Sequence, residues 1–414
     1  MARTSANPLI FIFVTRLIDS IGFSVVMPVL PSLLLSMGAR DLAHAAPTAG
    51  LLITVYAVMQ FLCGPIIGNL SDRFGRRPVI LGSLLAFGFD YFLMGFAPSV
   101  GWLFLGRAVA GMAGAVYVPA NAFVADVTPP ERRAHAFGVV SSAFGIGFIF
   151  GPIVGGFLGE LGPRAPFFAA AALAGLNLLF GLFVLPESLP PSRRRPFSWR
   201  RANPLGAVKA LRRHPEVFAL AGVVLIYLIA SNAYSSAWTF SMTAKFGWSP
   251  HMIGLSLGAT GLGMAVVRGL ITGRVVARVG ERKAAIFGLS VACCATLSFA
   301  LVPVGWMVFP IALVGALEAL TYPSLNAMIT RRAPPDQQGE LAGAVASLAS
   351  LASMIGPTLM TRTFANFSNP KAGIYFPGAP FALACLLDVI GLAGLLWLSA
   401  RIPTAQPARL APER

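Results

Sequence analysis

Charged residues are scarce in this chain. Asp, Glu, Lys and Arg make up 11% of its 414 residues, whereas a soluble domain carries about 25%. The four Cys residues all fall in apolar stretches, so no disulfide framework is indicated. The four His residues show no metal-ligand spacing, and no nucleophile–base constellation appears. We therefore expect neither an enzyme nor a metal-binding protein, and no cofactor.

Long apolar runs take the place of charge. Hydrophobic residues make up 56% of the chain, and the mean hydropathy is +0.76. A run of about 20 apolar residues is long enough to cross a bilayer as a helix. The sequence predicts an all-α membrane protein with twelve spans, at residues 8–36, 48–70, 78–97, 100–125, 134–159, 165–186, 216–241, 252–274, 283–302, 306–328, 340–365 and 377–400.

The Lys and Arg residues are distributed unevenly between the loops. Of the 31 in the chain, 23 lie on the side that holds both termini, and four lie within or at the ends of spans. The opposite side has only Arg40, Arg164, Lys245 and Lys371. The positive-inside rule predicts that both termini are cytoplasmic. The net charge of +16 is then a topology signal, and we expect no nucleic-acid partner.

The two halves of the chain repeat one another. Residues 68–77 (GNLSDRFGRR) return at residues 273–282 (GRVVARVGER), an offset of 205 residues. The same offset relates Tyr117 to Tyr322 and residues 151–152 to residues 356–357. Halves of six spans in the same orientation rock about a central site. We predict two pseudo-symmetric six-helix bundles, 1–186 and 216–400, a basic cytoplasmic linker, 187–215, and a cytoplasmic tail, 401–414.

Several motifs match one family. Residues 68–77 match the loop signature of the major facilitator superfamily, residues 107–111 its fourth-span signature and residues 147–156 its fifth-span antiporter signature. Residues 19–31 look like the first span of the tetracycline pumps. The chain thus resembles the drug:proton antiporters of that superfamily, close to the tetracycline efflux pumps.

The resemblance implies a proton-coupled antiporter that exports a small amphipathic compound by alternating access. It further implies an inner-membrane protein driven by the proton gradient, with protons, the substrate and the lipid bilayer as partners. We expect it to work as a monomer. Two alternatives stay open: a transporter of a sugar, organic acid or other metabolite, and a membrane receptor that kept the fold without transporting.

The segment at residues 68–77, called the hinge below, carries the predicted gate. Asp72 stands at the C-terminal end of the second span, where the partial charge of the helix opposes a carboxylate. It needs a positive partner, either a hinge arginine or the N-terminus of the eleventh span near residue 340. We expect a latch here, with a solvated turn as the alternative. The predicted gating residues are Gly68, Asp72, Arg73, Gly75, Arg76, Arg77, Gly151 and Pro152.

Gly151 and Pro152 belong to a run of glycines in the fifth span. Gly147, Gly151, Gly155 and Gly159 recur every four residues on one helix face. Such a stripe lets helix backbones approach closely. The sequence predicts tight packing there, and a bending seam between the two halves.

Charged residues inside spans are expensive unless they are paired or hydrated, and they mark transport pathways by default. Asp19 and Asp90 are the predicted proton carriers of the first half, with Arg107 beside them and Arg16 one turn before Asp19. A structural ion pair is the alternative interpretation.

The second half departs from the tetracycline pumps. Residues 290–294 have no acidic residue in the ninth span, and Met264 stands where those pumps carry a histidine. Arg268 and Glu318 are charged instead and could pair across the cavity or bind substrate. We expect Asp388 to be peripheral. The departures weigh against tetracycline itself more than against export by proton exchange. The predicted substrate-binding residues are Gln60, Tyr117, Asn121, Asn232, Tyr234, Arg268, Glu318 and Asn326.

Overall fold

The computed structural model describes residues 8–198, 215–332, 338–369 and 373–401, which are helical apart from short turns. Of the predicted linker, residues 199–214 lie outside the described residues, and so does the predicted tail after residue 401. The described residues contain no strand. The all-α prediction is confirmed.

Eleven helical stretches of the described residues are long and apolar enough to cross a membrane. They form spans 2 to 12, namely Leu42–Phe74, Arg76–Phe96, Val100–Val127, Pro130–Glu160, Ala165–Val184, Pro215–Phe246, Pro250–Val279, Glu281–Leu301, Gly305–Arg332, Gln338–Phe367 and Ala379–Arg401. Span 1 consists of two shorter helices, Pro8–Ser24 and Leu30–Ser36. The predicted count of twelve spans follows once these two are joined.

Span 1 is broken where the sequence offers a proline. A turn over residues 25–29 separates its two helices, and Pro28 in this turn has no backbone N–H to donate. The offset of 205 carries this turn to residues 230–234 of span 7. Span 7 is itself irregular there, with a π-helical segment at Ala233–Ala237. The repeat thus extends to the interruptions of the helices.

Spans 4 and 10 are interrupted in the same way. Span 4 consists of the helices Val100–Gly114 and Tyr117–Val127. Pro119 lacks the N–H that would bond to Ala115, and the Val118 N–H donates to Ala115 at 3.2 Å in a tighter turn. Span 10 contains a 3₁₀ segment, Ala316–Leu320, at the corresponding place. These breaks leave backbone carbonyls that need other donors.

Loop residues fix the ends of several spans. Span 2 begins after Asp41, whose carboxylate accepts from the His44 backbone N–H at 2.9 Å and lies 2.8 Å from the His44 ring Nδ1. These hydrogen bonds from His44 hold the pKa of Asp41 below its usual range. At the other end of span 2, Gly75 adopts φ +106°, and its repeat partner Gly280 adopts φ +83°. Both glycines turn the chain sharply into the next span, because a positive φ is strained for other residues.

The glycine stripe of span 5 packs mainly within its own half. A Cβ at Gly147 would meet Ser20 Cβ at 2.6 Å, and Gly151 and Gly155 lie equally tightly against Ser24 and Val25 of span 1. Span 5 meets the second half through the neighbouring Gly156, where a Cβ would lie 2.5 Å from the Pro250 carbonyl oxygen. Only the last glycine of the stripe, Gly159, also reaches the second half, where a Cβ would lie 3.0 Å from Pro250 Cβ.

The halves touch at the end of the molecule opposite the hinge. Spans 5 and 8 approach backbone to backbone there, since Gly254 packs on the Pro152 carbonyl. Spans 2 and 11 form a second contact, in which the Thr54 and Thr358 hydroxyls lie 2.8 Å apart. Thr54 also donates to the Met354 carbonyl at 3.1 Å. These two contacts close the end opposite the hinge.

Candidate functional site

A cavity of about 1040 Å³ lies between the two halves. Its lining on span 2 runs from Leu52 to Pro65, and on span 11 from Gly343 to Ser353. Both stretches extend toward the hinge end of their helices, away from the closed end. The cavity thus opens toward the hinge. Its size is at the upper limit of small-molecule pockets.

The two walls of the cavity differ in chemistry. The first half contributes the charged side chains Arg16, Asp19 and Arg107. In the described residues, the second half contributes no charged group to the lining. It supplies hydroxyls and one amide, from Asn232, Ser235, Ser236, Thr239, Tyr322, Ser347, Ser350 and Ser353. A ligand in the cavity would meet formal charge on one side and neutral hydrogen-bonding groups on the other.

Arg107 and Asp90 form a buried ion pair between spans 3 and 4. The Arg107 Nη2 donates to Asp90 Oδ2, and the two residues are 7% and 0% exposed. Arg107 reaches the cavity wall, where its guanidinium lies 5.8 Å from the centre of the Tyr56 ring. The Asp90 Oδ1 and Arg107 Nε have no hydrogen-bond partner in the structure. Two members of the predicted proton-coupling set are thus in contact.

Asp19 and Arg16 line the cavity from span 1, as their spacing on one helix face predicts. They form no ion pair in the described structure. The Arg16 guanidinium instead lies over two aromatic rings, 5.0 Å from the centre of Tyr117 and 6.0 Å from that of Phe144. Asp19 Oδ2 is buried and has no hydrogen-bond partner. An unpaired carboxyl in this position is suited to holding a proton.

Gln60 compensates for the break in span 4. Its Nε2 donates to the Gly114 carbonyl at 3.1 Å, and it lies 3.5 Å from the Tyr56 hydroxyl. The 3₁₀ turn leaves the Gly114 carbonyl without the helical donor, Val118 N–H, which bonds to Ala115 instead. Gln60 lines the cavity, as predicted for a substrate-binding residue, and it also holds spans 2 and 4 together.

The other predicted substrate-binding residues divide into two groups. Tyr117 and Asn232 line the cavity, and Asn232 also donates to the Leu228 carbonyl at 2.7 Å and to that of Ala352 at 3.4 Å. Tyr322, an aromatic residue expected near the cavity but not among the predicted substrate-binding residues, lines it as well. Five predicted residues lie outside the lining: Asn121, Tyr234, Arg268, Glu318 and Asn326.

Glu318 lies in the core of the second half. It is 2% exposed, and it accepts a hydrogen bond from the Tyr234 hydroxyl at 3.0 Å. Arg268 is exposed and forms no ion pair with Glu318 in the described structure. The structure therefore does not contain the ion pair across the cavity that was considered for Arg268 and Glu318.

Asp388 is not peripheral, and that expectation was wrong. The residue is 2% exposed in span 12, and the Thr296 hydroxyl lies 3.5 Å from its Oδ2. Its Oδ1 is buried without a hydrogen-bond partner. A carboxyl in the last span of a bundle cannot be placed on the inner or outer face by its sequence neighbours alone, because residues 379–401 are apolar on every side.

The hinge is held by a network that includes two residues outside the motif. Arg76 donates to Asp72 at 2.6 Å and to Asp126, at the end of span 4, at 3.3 Å. Glu187 accepts from the backbone N–H of Arg76 at 2.8 Å, at the start of span 3. An acidic group at this helix N-terminus is favourable. The expected partner of Asp72 is thus a hinge arginine in this structure; the side chains of the first turn of span 11 lie outside the description.

The remaining predicted gating residues surround this network. Arg77 donates to the Leu182 carbonyl at 2.7 Å, and Arg73 lies 5.1 Å from the centre of the Phe74 ring. A Cβ at Gly68 would lie 3.0 Å from Val118 Cγ1, so spans 2 and 4 approach closely there. A Cβ at Gly75 would collide with the Glu187 carboxylate.

The second half has the corresponding ion pair with its charges exchanged. Arg331 donates to Glu281 at 2.7 Å. The offset of 205 relates Glu281 to Arg76 and Arg331 to Asp126. The acid thus stands after the glycine turn in the second half, and the base stands at the end of the crossing span. Applying the offset to residues 76 and 126 would have found this pair in the sequence.

Known proteins resemble the whole chain. The family model of the Major Facilitator Superfamily matches residues 12–357 and 220–413. The chain is 41% identical to the tetracycline resistance protein, class C, of Escherichia coli, over 92% of this chain and 96% of that protein. It is 30% identical to multidrug resistance protein 2 of Bacillus subtilis (strain 168), over 90% of each chain.

A solved structure has the same architecture. The crystal structure of the human organic anion transporter MFSD10 (TETRAN) superposes with a TM-score of 0.68 at 25% identity, covering 95% of this chain and 100% of that one. The family match, the relatives and the two six-span halves around a cavity agree. The chain belongs to the Major Facilitator Superfamily.

Proposed function

We propose that this protein exports tetracycline or a similar amphipathic drug in exchange for protons. The observation that carries the proposal is the position of Asp19, the one carboxyl in the described lining of the central cavity. A proton and a substrate can then compete for one site, which is the requirement for exchange. The similarity to proteins named for tetracycline and multidrug resistance supports a drug as the substrate.

The geometry supports a cycle of alternating access. In the conformation described here the cavity opens toward the hinge, and Asp19 gives up its proton. The drug then enters between Arg16 and the serine-rich wall, which is formed by Ser235 and Ser236 of span 7 and Ser347, Ser350 and Ser353 of span 11. When the halves rock, the contact between spans 5 and 8 opens and the hinge end closes. Asp19 then takes a proton from the outside and the drug leaves. Asp90 and Arg107 adjust the charge of the cavity wall, since protonation of Asp90 would weaken its pair with Arg107.

The remaining assignments complete the proposal. The protein lies in the inner membrane with both termini and the hinge in the cytoplasm, because the basic residues concentrate on that side. The proton gradient supplies the energy without a cofactor, and a single chain contains both halves of the site, so a monomer suffices. In the predicted gate, the Asp72–Arg76 network is the latch that is rearranged when the hinge end closes.

Everted membrane vesicles test the function directly. With an imposed proton gradient, wild-type vesicles should accumulate tetracycline and release protons as the drug is added. Asp19→Asn should lower this exchange by about tenfold or more, since the amide cannot carry a proton. The matched control is Asp41→Asn, because Asp41 lies outside the cavity with a side chain that is 45% exposed, and asparagine still caps a helix.

The outcomes separate cleanly at equal protein levels in the membrane. Exchange by wild type and Asp41→Asn, with a large loss in Asp19→Asn, supports the proposal. Wild-type vesicles that exchange no drug from a broad panel would refute drug export. Wild-type rates in Asp19→Asn would remove this carboxyl from coupling.

A further inference from the structure

The core of the second half contains two buried carboxyls that the cavity does not explain. Glu318 lies near the middle of span 10 and Asp388 in span 12, and each is 2% exposed. Neither forms an ion pair in the part of the chain that the structure describes. An ionised carboxylate without a cation is costly in this environment. A bound proton removes that cost.

The hydrogen-bond partners of the pair are neutral hydroxyl groups. Glu318 accepts the hydroxyl of Tyr234 at 3.0 Å. The Asp388 Oδ2 is 3.5 Å from the Thr296 hydroxyl, while its Oδ1 is buried with no partner. The two carboxyls also act on one another electrostatically. Two like charges within interaction range resist simultaneous ionisation, so the pair favours keeping at least one proton.

Among the described residues, no cation lies next to the pair. Arg268 on span 8 is the one cation that interacts with Glu318 at a distance, and its side chain is exposed. The other titratable groups that interact with the two carboxyls are phenols and thiols, from Tyr227 and Tyr234 on span 7, Cys293 on span 9 and Cys385 on span 12.

One irregular turn joins the pair to the cavity. The π-helical segment Ala233–Ala237 of span 7 presents Ser235 and Ser236 to the cavity. The same segment holds Tyr234, which bonds to Glu318. A ligand that displaces this segment must also change the hydrogen bond to the acid. This segment is therefore a physical connection between the cavity and Glu318.

We propose that Glu318 and Asp388 form a second proton-binding site, separate from the cavity and coupled to it through the turn at Tyr234. The coupling to transport rests on the proposed function, whereas the binding of protons does not. Glu318 then acts as a proton carrier within the second half, behind the cavity wall.

Infrared difference spectroscopy of the purified full-length protein tests proton binding without any drug. Titration from acid to alkaline pH should remove absorbance in the carboxylic-acid C=O band. The variants Glu318→Gln and Asp388→Asn should each lose part of this change, and the double variant should lose both parts. Glu216→Gln is the matched control, because Glu216 is an exposed acid at the start of span 7 that pairs with Arg332 at 3.5 Å. Unchanged spectra in both single variants would overturn the proposal.

The same variants in everted vesicles test the coupling. The double variant should exchange tetracycline for protons about tenfold more slowly than Glu216→Gln at equal membrane levels. An exchange rate equal to that control would overturn the coupling, even if the infrared change is lost. If wild-type vesicles exchange no drug, the proposed function fails, and the spectra still decide whether the pair binds protons. Gln and Asn match the shapes of the acids, and a normal elution profile in detergent confirms that each variant is folded.

Discussion

Gly75 and Gly280 occupy the same place in the two halves but have different neighbours. Both have a positive φ, +106° and +83°. A Cβ at Gly75 would collide with Glu187, which caps the start of span 3, whereas a Cβ at Gly280 would meet nothing within 4 Å. Comparing substitutions at these two glycines therefore distinguishes the cost of backbone strain from the cost of losing the contact with Glu187.

Alanine at each glycine should give different costs. Gly280→Ala has only the cost of a positive-φ backbone that favours glycine, about 1 kcal/mol or more. Gly75→Ala pays the same and also displaces Glu187 from two backbone N–H groups, so we expect a total loss of about 2 kcal/mol or more in the free energy of unfolding. Denaturant unfolding of the purified protein in detergent measures both. Equal losses in the two variants would mean that Glu187 adds nothing to the hinge.

At the scale of elements, the two glycine turns use opposite charges to fasten the next span. In the first half Arg76 binds both Asp72 and Asp126. In the second half Glu281 binds Arg331, and Ala277 stands where the first half has Asp72. The first pair is thus part of a network, and the second is a single pair with an exposed arginine.

Exchanging the charges should be tolerated in one half only. In the double variant Glu281→Arg with Arg331→Glu, most of the transport lost in either single variant should return, because neither residue forms a further ion pair in the described part of the chain. In Arg76→Glu with Asp126→Arg, the new glutamate faces Asp72 one turn away, so transport should stay low. The second pair is partly exposed and contributes about 1 kcal/mol or less. Vesicle exchange assays at matched expression measure all variants; equal recovery in both halves would contradict the prediction.

The elements also show what the sequence could and could not predict. Hydropathy and the offset of 205 predicted all twelve spans and the two halves, because a helix in lipid must be long and apolar whatever its partners. Neither hydropathy nor the offset predicts which face of an apolar helix lies in the core of its bundle and which faces the lipid. Asp388 was therefore expected at the periphery, and Glu318 was placed with the substrate although it lies behind the cavity wall.

The site was predicted best where charge is rare. Asp19, Arg16 and Arg107 stand out in apolar spans, and all three line the cavity. The serines of span 11 were missed, because Ser is common in helices and carries no charge to mark it. Asp126 and Glu187 were missed since they lie outside the hinge motif and reach it only through the fold.

At the scale of the whole molecule, the closed end relies on the absence of side chains. Gly254 packs on the Pro152 carbonyl and Gly156 on the Pro250 carbonyl. No side chain stands between the two backbones at these positions. Spans 5 and 8 can therefore approach as closely as helices allow.

A side chain at Gly254 should hold this end open. In Gly254→Val, the added carbons would separate spans 5 and 8, so the conformation with the cavity open toward the hinge becomes rare and drug exchange falls by about tenfold or more. A cysteine placed at Thr54 in this background should react faster with a thiol reagent added from the side opposite the hinge. Gly82→Val is the control, because a Cβ at Gly82 meets nothing within 4 Å. Equal labelling of the two variants would show that the glycine contact does not close this end.

The glycine contact between spans 5 and 8 has a consequence for how the drug range can change. The serine-rich wall that faces the ligand belongs to spans 7 and 11, and none of its residues takes part in that joint. Substitutions in the wall can therefore change which compounds bind, while the packing of span 5 on span 8 is unaffected. Among related sequences, substitutions should therefore be frequent in the wall and rare in the contact between spans 5 and 8. The range of exported drugs can then change while the contact that opens and closes stays the same.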